Sequence, residues 1–362
     1  MSIDFSPQRW DNFIRNANAW WDGTLGRPLA GAQLIGRDPG RPQPGAFYLD
    51  QENCLDFSVS PEDIVDRIDY ELSRVVFLGD AFPHMTMHAF GAGVLAAFLG
   101  ARMDNSISGV WFHPPKEMPL SDMHFAFDPE HPIFRRVADI CRAGVKRWDG
   151  QVQIGMTDLG GVLDVLASFR TSESLLLDLY DCPDEVIRCA KEIELAWRQA
   201  YDALQEIISP VNPGYSDWLG LYSPTRLYTT QSDFCYMVSP EMFGQFVLPE
   251  LQRTWAWLGR GVYHLDGIGE LPHLPQMLSS EDLEVIQWVP GDGKPDEAHW
   301  PDVYKTIRAG GKRLMIMNLY SVPAVIGQTG DGAGIASSNG FTAPLEKGDE
   351  IKSILQSIGV PV

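Results

Sequence analysis

The stretch GVYHLDGIGELPHLPQM (261–277) places an imidazole and two carboxylates, His264, Asp266 and Glu270, directly after a short apolar run. In an extended strand positions i and i+2 face the same way, so His264 and Asp266 project together. An imidazole nitrogen beside a carboxylate oxygen suits Zn²⁺ or another divalent metal. The same pair suits a general base oriented by its carboxylate. The plain polar end of a buried strand is a third account, and the residues alone leave all three open. A metal site needs a third ligand, for which Glu270 is close enough in sequence. His273, between Pro272 and Pro275, belongs instead to a following helix surface. A second histidine pair, His84 and His88 in DAFPHMTMHAF, has methionines and Phe90 interleaved and reads as a loop-to-helix segment packed over a pocket.

Side chains of this kind need elements that aim them. Short apolar runs ending in polar residues recur along the chain: RVVFLGDAFP (74–83), VQIGMTDLGG (152–161), WLGLYSPT (218–225), GVYHLDG (261–267), EVIQWVPGDG (284–293) and RLMIMNL (313–319). Amphipathic stretches of helical period separate them, notably 183–208, which opens on Pro and an acidic turn, and 239–259. Strands alternating with helices imply parallel pairing. The expectation is an α/β fold, a (β/α)₈ TIM barrel over residues 71–362 with an irregular, Gly/Pro-punctuated N-terminal covering segment at 1–70, all one domain. In such a barrel chemistry sits at the C-terminal strand ends. The polar residues there are Asp80, Asp158, Tyr222, His264 with Asp266, Trp288 with Asp292, and Asn318.

Composition narrows the partners. A net charge of −20 over 362 residues, with no Lys/Arg block, argues against nucleic acid. No apolar run approaches membrane-spanning length, and no signal-like segment opens the chain. The five cysteines form no CxxC pair, which fits a reducing cytoplasm and no thiolate chemistry. No GxGxxG, GxxxxGK[ST], zincin or GxSxG pattern stands at a suitable turn.

Five stretches carry a resemblance: GDAFP (79–83), GVLDVLASFRTSESLLLDLYDCPDEV (161–186), SDFCYMVSPEMFGQFVLPEL (232–251), YHLDG (263–267) and SSNGFTAPLEKGDEIKSIL (337–355). With them the chain resembles the uroporphyrinogen decarboxylase superfamily from about residue 70 onward. It is closer to the corrinoid (cobalamin)-dependent methyltransferases than to the porphyrinogen decarboxylases. The resemblance implies a barrel, in agreement with the pattern. The thiol-alkylating members hold zinc with a His-x-Cys pair and a late Cys. Here those positions are His264, Asp266 and Asn339, so both thiolates are replaced by oxygen donors.

The resemblance therefore implies demethylation of a small methylated compound of methoxy or methylamine type. The methyl group would go to a corrinoid carried by a partner protein, with His264, Asp266 and Glu270 as the metal set. Asp158, Tyr222, Asp233, Trp288 and Asn318 would shape the pocket and orient the substrate. A metal-independent decarboxylase using Asp80 and His264, and a non-catalytic binding descendant, are the alternatives.

Overall fold

Parallel pairing dominates the chain, as the alternation of apolar runs and amphipathic helices requires. The computed structural model describes residues 3–106 and 108–362. Five parallel strands form one sheet in the order Ile335–Ser337, Arg313–Ile316, Leu283–Val289, Gly261–Asp266 and Tyr228–Thr230. Two shorter segments, His84–Met85 and Gln153–Ile154, pair in parallel. The Met156 N–H then donates to the Ser216 carbonyl at 2.8 Å, which brings Tyr215–Ser216 alongside. The architecture is mixed α/β, with helices between most of these segments.

The backbone ladder does not run continuously through these segments. At two seams a side chain takes the place of a strand's peptide groups. The Asp217 carboxylate accepts the Thr229 N–H at 2.5 Å, between Tyr215–Ser216 and Tyr228–Thr230. The Asn339 amide accepts from the Phe82 N–H and donates to the Phe82 carbonyl, both at 3.0 Å, between the end of Ile335–Ser337 and the start of His84–Met85. A carboxamide carries an acceptor oxygen and an NH₂ donor side by side, so it can close both bonds at once.

The apolar run that begins at Arg74 serves a different sheet from the one expected. Val75–Gly79 pairs antiparallel with Gly31–Ile35, which pairs in parallel with Thr342–Pro344. Asp80 thus ends a strand of the N-terminal layer, and the chain turns before the next parallel segment at His84. WLGLYSPT is not a long strand either. Only Tyr222–Ser223 is extended, paired antiparallel with Tyr215–Ser216, and Trp218–Leu221 is loop.

The helices follow their sequence signals. Pro183–Ile208 starts with Pro and two acids, and buries Val186, Cys189, Ile193, Trp197, Tyr201 and Leu204 along one face. The expected helix over 239–259 is present but not uniform. It passes through a wider turn at Phe243–Val247 before resuming as Leu248–Leu258, where Pro249 has no N–H to give to the regular ladder. No helix among the described residues is long and apolar enough to cross a membrane. Among them all five cysteines are free thiols.

Candidate active site

Strand Gly261–Asp266 lies between Tyr228–Thr230 and Leu283–Val289, so its side chains are fixed by neighbours on both sides. It can start where it does because residue 261 is glycine. A Cβ there would lie 2.6 Å from both the Asp282 carbonyl and the Trp255 ring. It ends at Gly267, whose φ of +82° turns the chain back while its N–H donates to Val289.

Within the strand the alternation of faces separates the polar residues. His264 and Asp266 share one face, and the His264 Nε2 lies 3.7 Å from Asp266 Oδ2. Asp233, at the end of the neighbouring segment, completes the group. One ligand atom from each of Asp233, His264 and Asp266 lies within 4.8 Å of the others. His264 is half-buried, Asp266 is more open and Asp233 is exposed. Asp233 and Asp266 line a cavity of about 260 Å³ together with Tyr236, Ile268, Asp292 and Lys294.

The register sets His264 against Gln287, and the His264 Nδ1 donates to the Gln287 carboxamide oxygen. That oxygen can only accept, so the contact fixes the ring and leaves Nε2 facing Asp266. Burial disfavours the charged imidazole, but the Asp266 and Gln287 contacts and the Asp233 charge outweigh it. The His264 pKa is raised as a result. A more basic Nε2 is both a better metal donor and a better proton acceptor. Trp218 closes the other side, its ring edge-on to His264 at 5.3 Å.

Acid groups crowd the same region. Asp158 is buried, and burial pushes its pKa up to about 6 against the pull of the Gly160 and Gly93 N–H groups and of His264. Asp164, in the first turn of helix Val162–Arg170, accepts the Asp233 and Phe234 N–H groups at 3.1 and 2.7 Å. It therefore holds the loop that presents Asp233. Its own pKa is raised by burial and then by the Asp233 charge. The sequence signal for this role was an acid at a helix N-terminus, which reads as an ordinary helix-dipole residue.

Other residues expected at the site lie elsewhere. Glu270, expected as the third ligand, is fully buried and accepts from the Tyr263 hydroxyl at 3.1 Å, on the opposite face of the strand from His264. Trp288 also faces away from the site. It pairs with Leu265 in register and packs edge-on to Trp300 at 5.3 Å, so the strand's alternation gives Gln287 the place expected for Trp288. Tyr222 is core, its hydroxyl donating to Pro213 and its ring packed on Phe13. Asn318 is exposed and caps the turn at Leu319–Ser321 by accepting from the Tyr320 N–H. Asp80 is engaged by the Arg27 guanidinium at 2.6 Å, by Asn16 at 2.9 Å and by the Ala30 N–H at 3.2 Å. Asn339, at the position of the late cysteine, is spent on the Phe82 seam.

The donor chemistry fits a divalent cation. One imidazole nitrogen and two carboxylate oxygens form a three-ligand set that leaves coordination positions for a substrate atom. The set is harder than one built on thiolates.

No protein-family model matches this chain, and no curated protein matches it in sequence. Among solved structures, a methyltransferase from Methanosarcina mazei superposes on 95% of this chain and 97% of its own, with a TM-score of 0.59 at 14% sequence identity. At that identity the likeness establishes a common fold.

Proposed function

We propose that this protein is a methyltransferase that removes a methyl group from a small methoxy- or methylamine-type compound and delivers it to a corrinoid on a separate protein. The observation that carries the reading is the Asp233–His264–Asp266 group, open to solvent at strand ends of a fold shared with a methyltransferase. We read the seven parallel segments, with Tyr215–Ser216 alongside them, as a (β/α)₈ barrel with seams at Asp217 and Asn339 and with these residues at its mouth.

A divalent cation held by Asp233, His264 and Asp266 would supply Lewis acidity toward the substrate oxygen or nitrogen. The chain's own residues do the rest. Gln287 holds the imidazole so that Nε2 faces the substrate side, and Asp164 fixes the Asp233 loop. The Asp266 carboxylate oxygen not used on the cation can pass on from solvent the proton that the departing heteroatom gains when its bond to carbon breaks and it keeps the electron pair. The methyl carbon then bonds to the external reduced corrinoid. Tyr236, Met237 and Ile268 are exposed near this opening and offer apolar surface for a docking carrier.

The decarboxylase alternative loses its acid, because both Asp80 oxygens are held by Arg27 and its neighbours. The test is elemental analysis of purified wild type beside His264→Ala. It is followed by incubation with methyl ethers or methylamines and cob(I)alamin, watching for the methylcobalamin spectrum. Metal-free wild-type protein that methylates no corrinoid would overturn the reading.

A further inference from the structure

Beside the site, and separate from its ligand group, lies a cleft of about 800 Å³. That volume is in the range of small-molecule pockets. Helix Pro61–Ser73, the loop at 48–52 and the segment at 84–89 wall it. Ile68, Leu72, Val75 and Met85 give it an apolar lining. The loop is not left to itself, since the Asn105 amide donates to the carbonyls of Gln51 and Glu52 at 3.0 and 2.7 Å. The cleft is therefore formed before any ligand arrives. Trp218 connects it to the site, meeting His88 through its backbone and His264 through its ring.

Charge decides what the cleft accepts. No lysine or arginine lines it. Its two histidines are neutral at physiological pH: burial pushes His84 down to about 3, and lowers His88 as well. The His84 Nε2 is also occupied by the Ser216 hydroxyl at 3.0 Å. Of the acids on its walls, Glu71 is neutralised by Arg67 and Arg74 at 2.8 and 2.9 Å. Asp50 and Glu52 are exposed on the rim, with no cationic partner among the described residues, next to the exposed ring of Tyr48. An anion entering this cleft would shed its water and meet no positive charge beyond the guanidiniums already paired with Glu71. A cation would meet two carboxylates and an aromatic face.

We propose that this cleft binds an amphipathic organic cation, its apolar body between Ile68, Leu72 and Met85 and its ammonium group at the rim formed by Tyr48, Asp50 and Glu52. Binding of this cation is argued independently of the function proposed above, because its ammonium end lies at a rim that contains none of Asp233, His264 and Asp266.

Titration calorimetry with benzyltrimethylammonium and with phenylacetate tests the assignment, since the two share a ring and differ in charge. The cation should bind one to one, at least about 10-fold tighter than the anion. The double variant Asp50→Asn/Glu52→Gln should weaken the cation by about 3- to 10-fold. Ile35→Trp, at an exposed lining position, should weaken binding by narrowing the cleft. Phenylacetate binding as tightly as the cation would overturn the proposal, as would cation binding untouched by both variants. Binding that is equal in wild type and His264→Ala supports the cleft assignment. If methyl transfer is then absent from wild type, it is the function reading that fails.

Discussion

The two faces of the strand Gly261–Asp266 carry the same kinds of residue to opposite ends. On one face His264 and Asp266 meet Asp233 at a solvent-facing opening, and the imidazole is made more basic. On the other, Tyr263 donates to Glu270 beside Cys235, and His273 stacks on Phe243 at 4.5 Å, all of them out of contact with water. There burial pushes the Glu270 pKa up to about 9, with the Asp233 charge as the next cause. A carboxylate near solvent and a cation can stay charged and reactive, whereas one sealed among apolar neighbours keeps its proton and serves packing. Residue type does not assign function here; the face does.

The sharpest way to break this contrast is to remove the histidine. His264→Ala should lower zinc affinity by at least about 100-fold, because a ligand matters more than the groups that support it. Metal titration against a chromophoric chelator reads this directly. Undiminished zinc binding in that variant would remove the distinction between the faces.

Gln287→Leu tests whether the ring must be held. It keeps side-chain volume and deletes the acceptor for Nδ1, so zinc affinity should fall by about 10- to 100-fold while the fold persists. Trp288→Phe, one residue along but on the buried face, should leave metal affinity unchanged. It shrinks a fully buried ring packed on Trp300, so stability should fall by about 1–3 kcal/mol while metal affinity holds.

The buried face should reveal itself through pH instead of metal. Folded protein holds the Glu270 proton up to about pH 9, while the unfolded chain releases it near the ordinary glutamate value of about 4.3. Between these limits the native state binds more protons, so this residue makes stability fall as pH rises. Glu270→Gln keeps the shape and cannot ionise. Its stability relative to wild type should therefore grow steadily from pH 5 to pH 8 in denaturant titrations. Parallel profiles would show that Glu270 is ionised in the fold.

Much of this was legible in the sequence where local periodicity governs. The helix at 183–208, the strand at 261–266 and the shared face of His264 and Asp266 follow from periods of 3.6 and 2. What failed was long-range. Asp233, expected as a substrate-orienting residue and not as a ligand, reaches His264 through parallel pairing of Tyr228–Thr230 with Gly261–Asp266, which no local pattern records. Glu270 was near in sequence but across the sheet. Trp288 and Gln287 differ by one position in register, and parity put the amide inside. Asp80 stood at the end of an apolar run, yet the run belongs to an antiparallel sheet and the acid to Arg27. Asp164 carried no signal beyond its place in a helix's first turn.

The seams at Asp217 and Asn339 have a consequence for how such a fold can change. A rung made of peptide groups survives any substitution but proline, because every other residue brings the same backbone donor and acceptor. A rung made by a side chain is written in one codon and can be erased by one. Asn339→Ala would remove both hydrogen bonds that tie Phe82 to the segment after Ile335–Ser337 while leaving the strand pairings intact. The molecule thus carries a fastening that a single mutation can undo, and amide hydrogen exchange at Phe82 would be the first place to see it open.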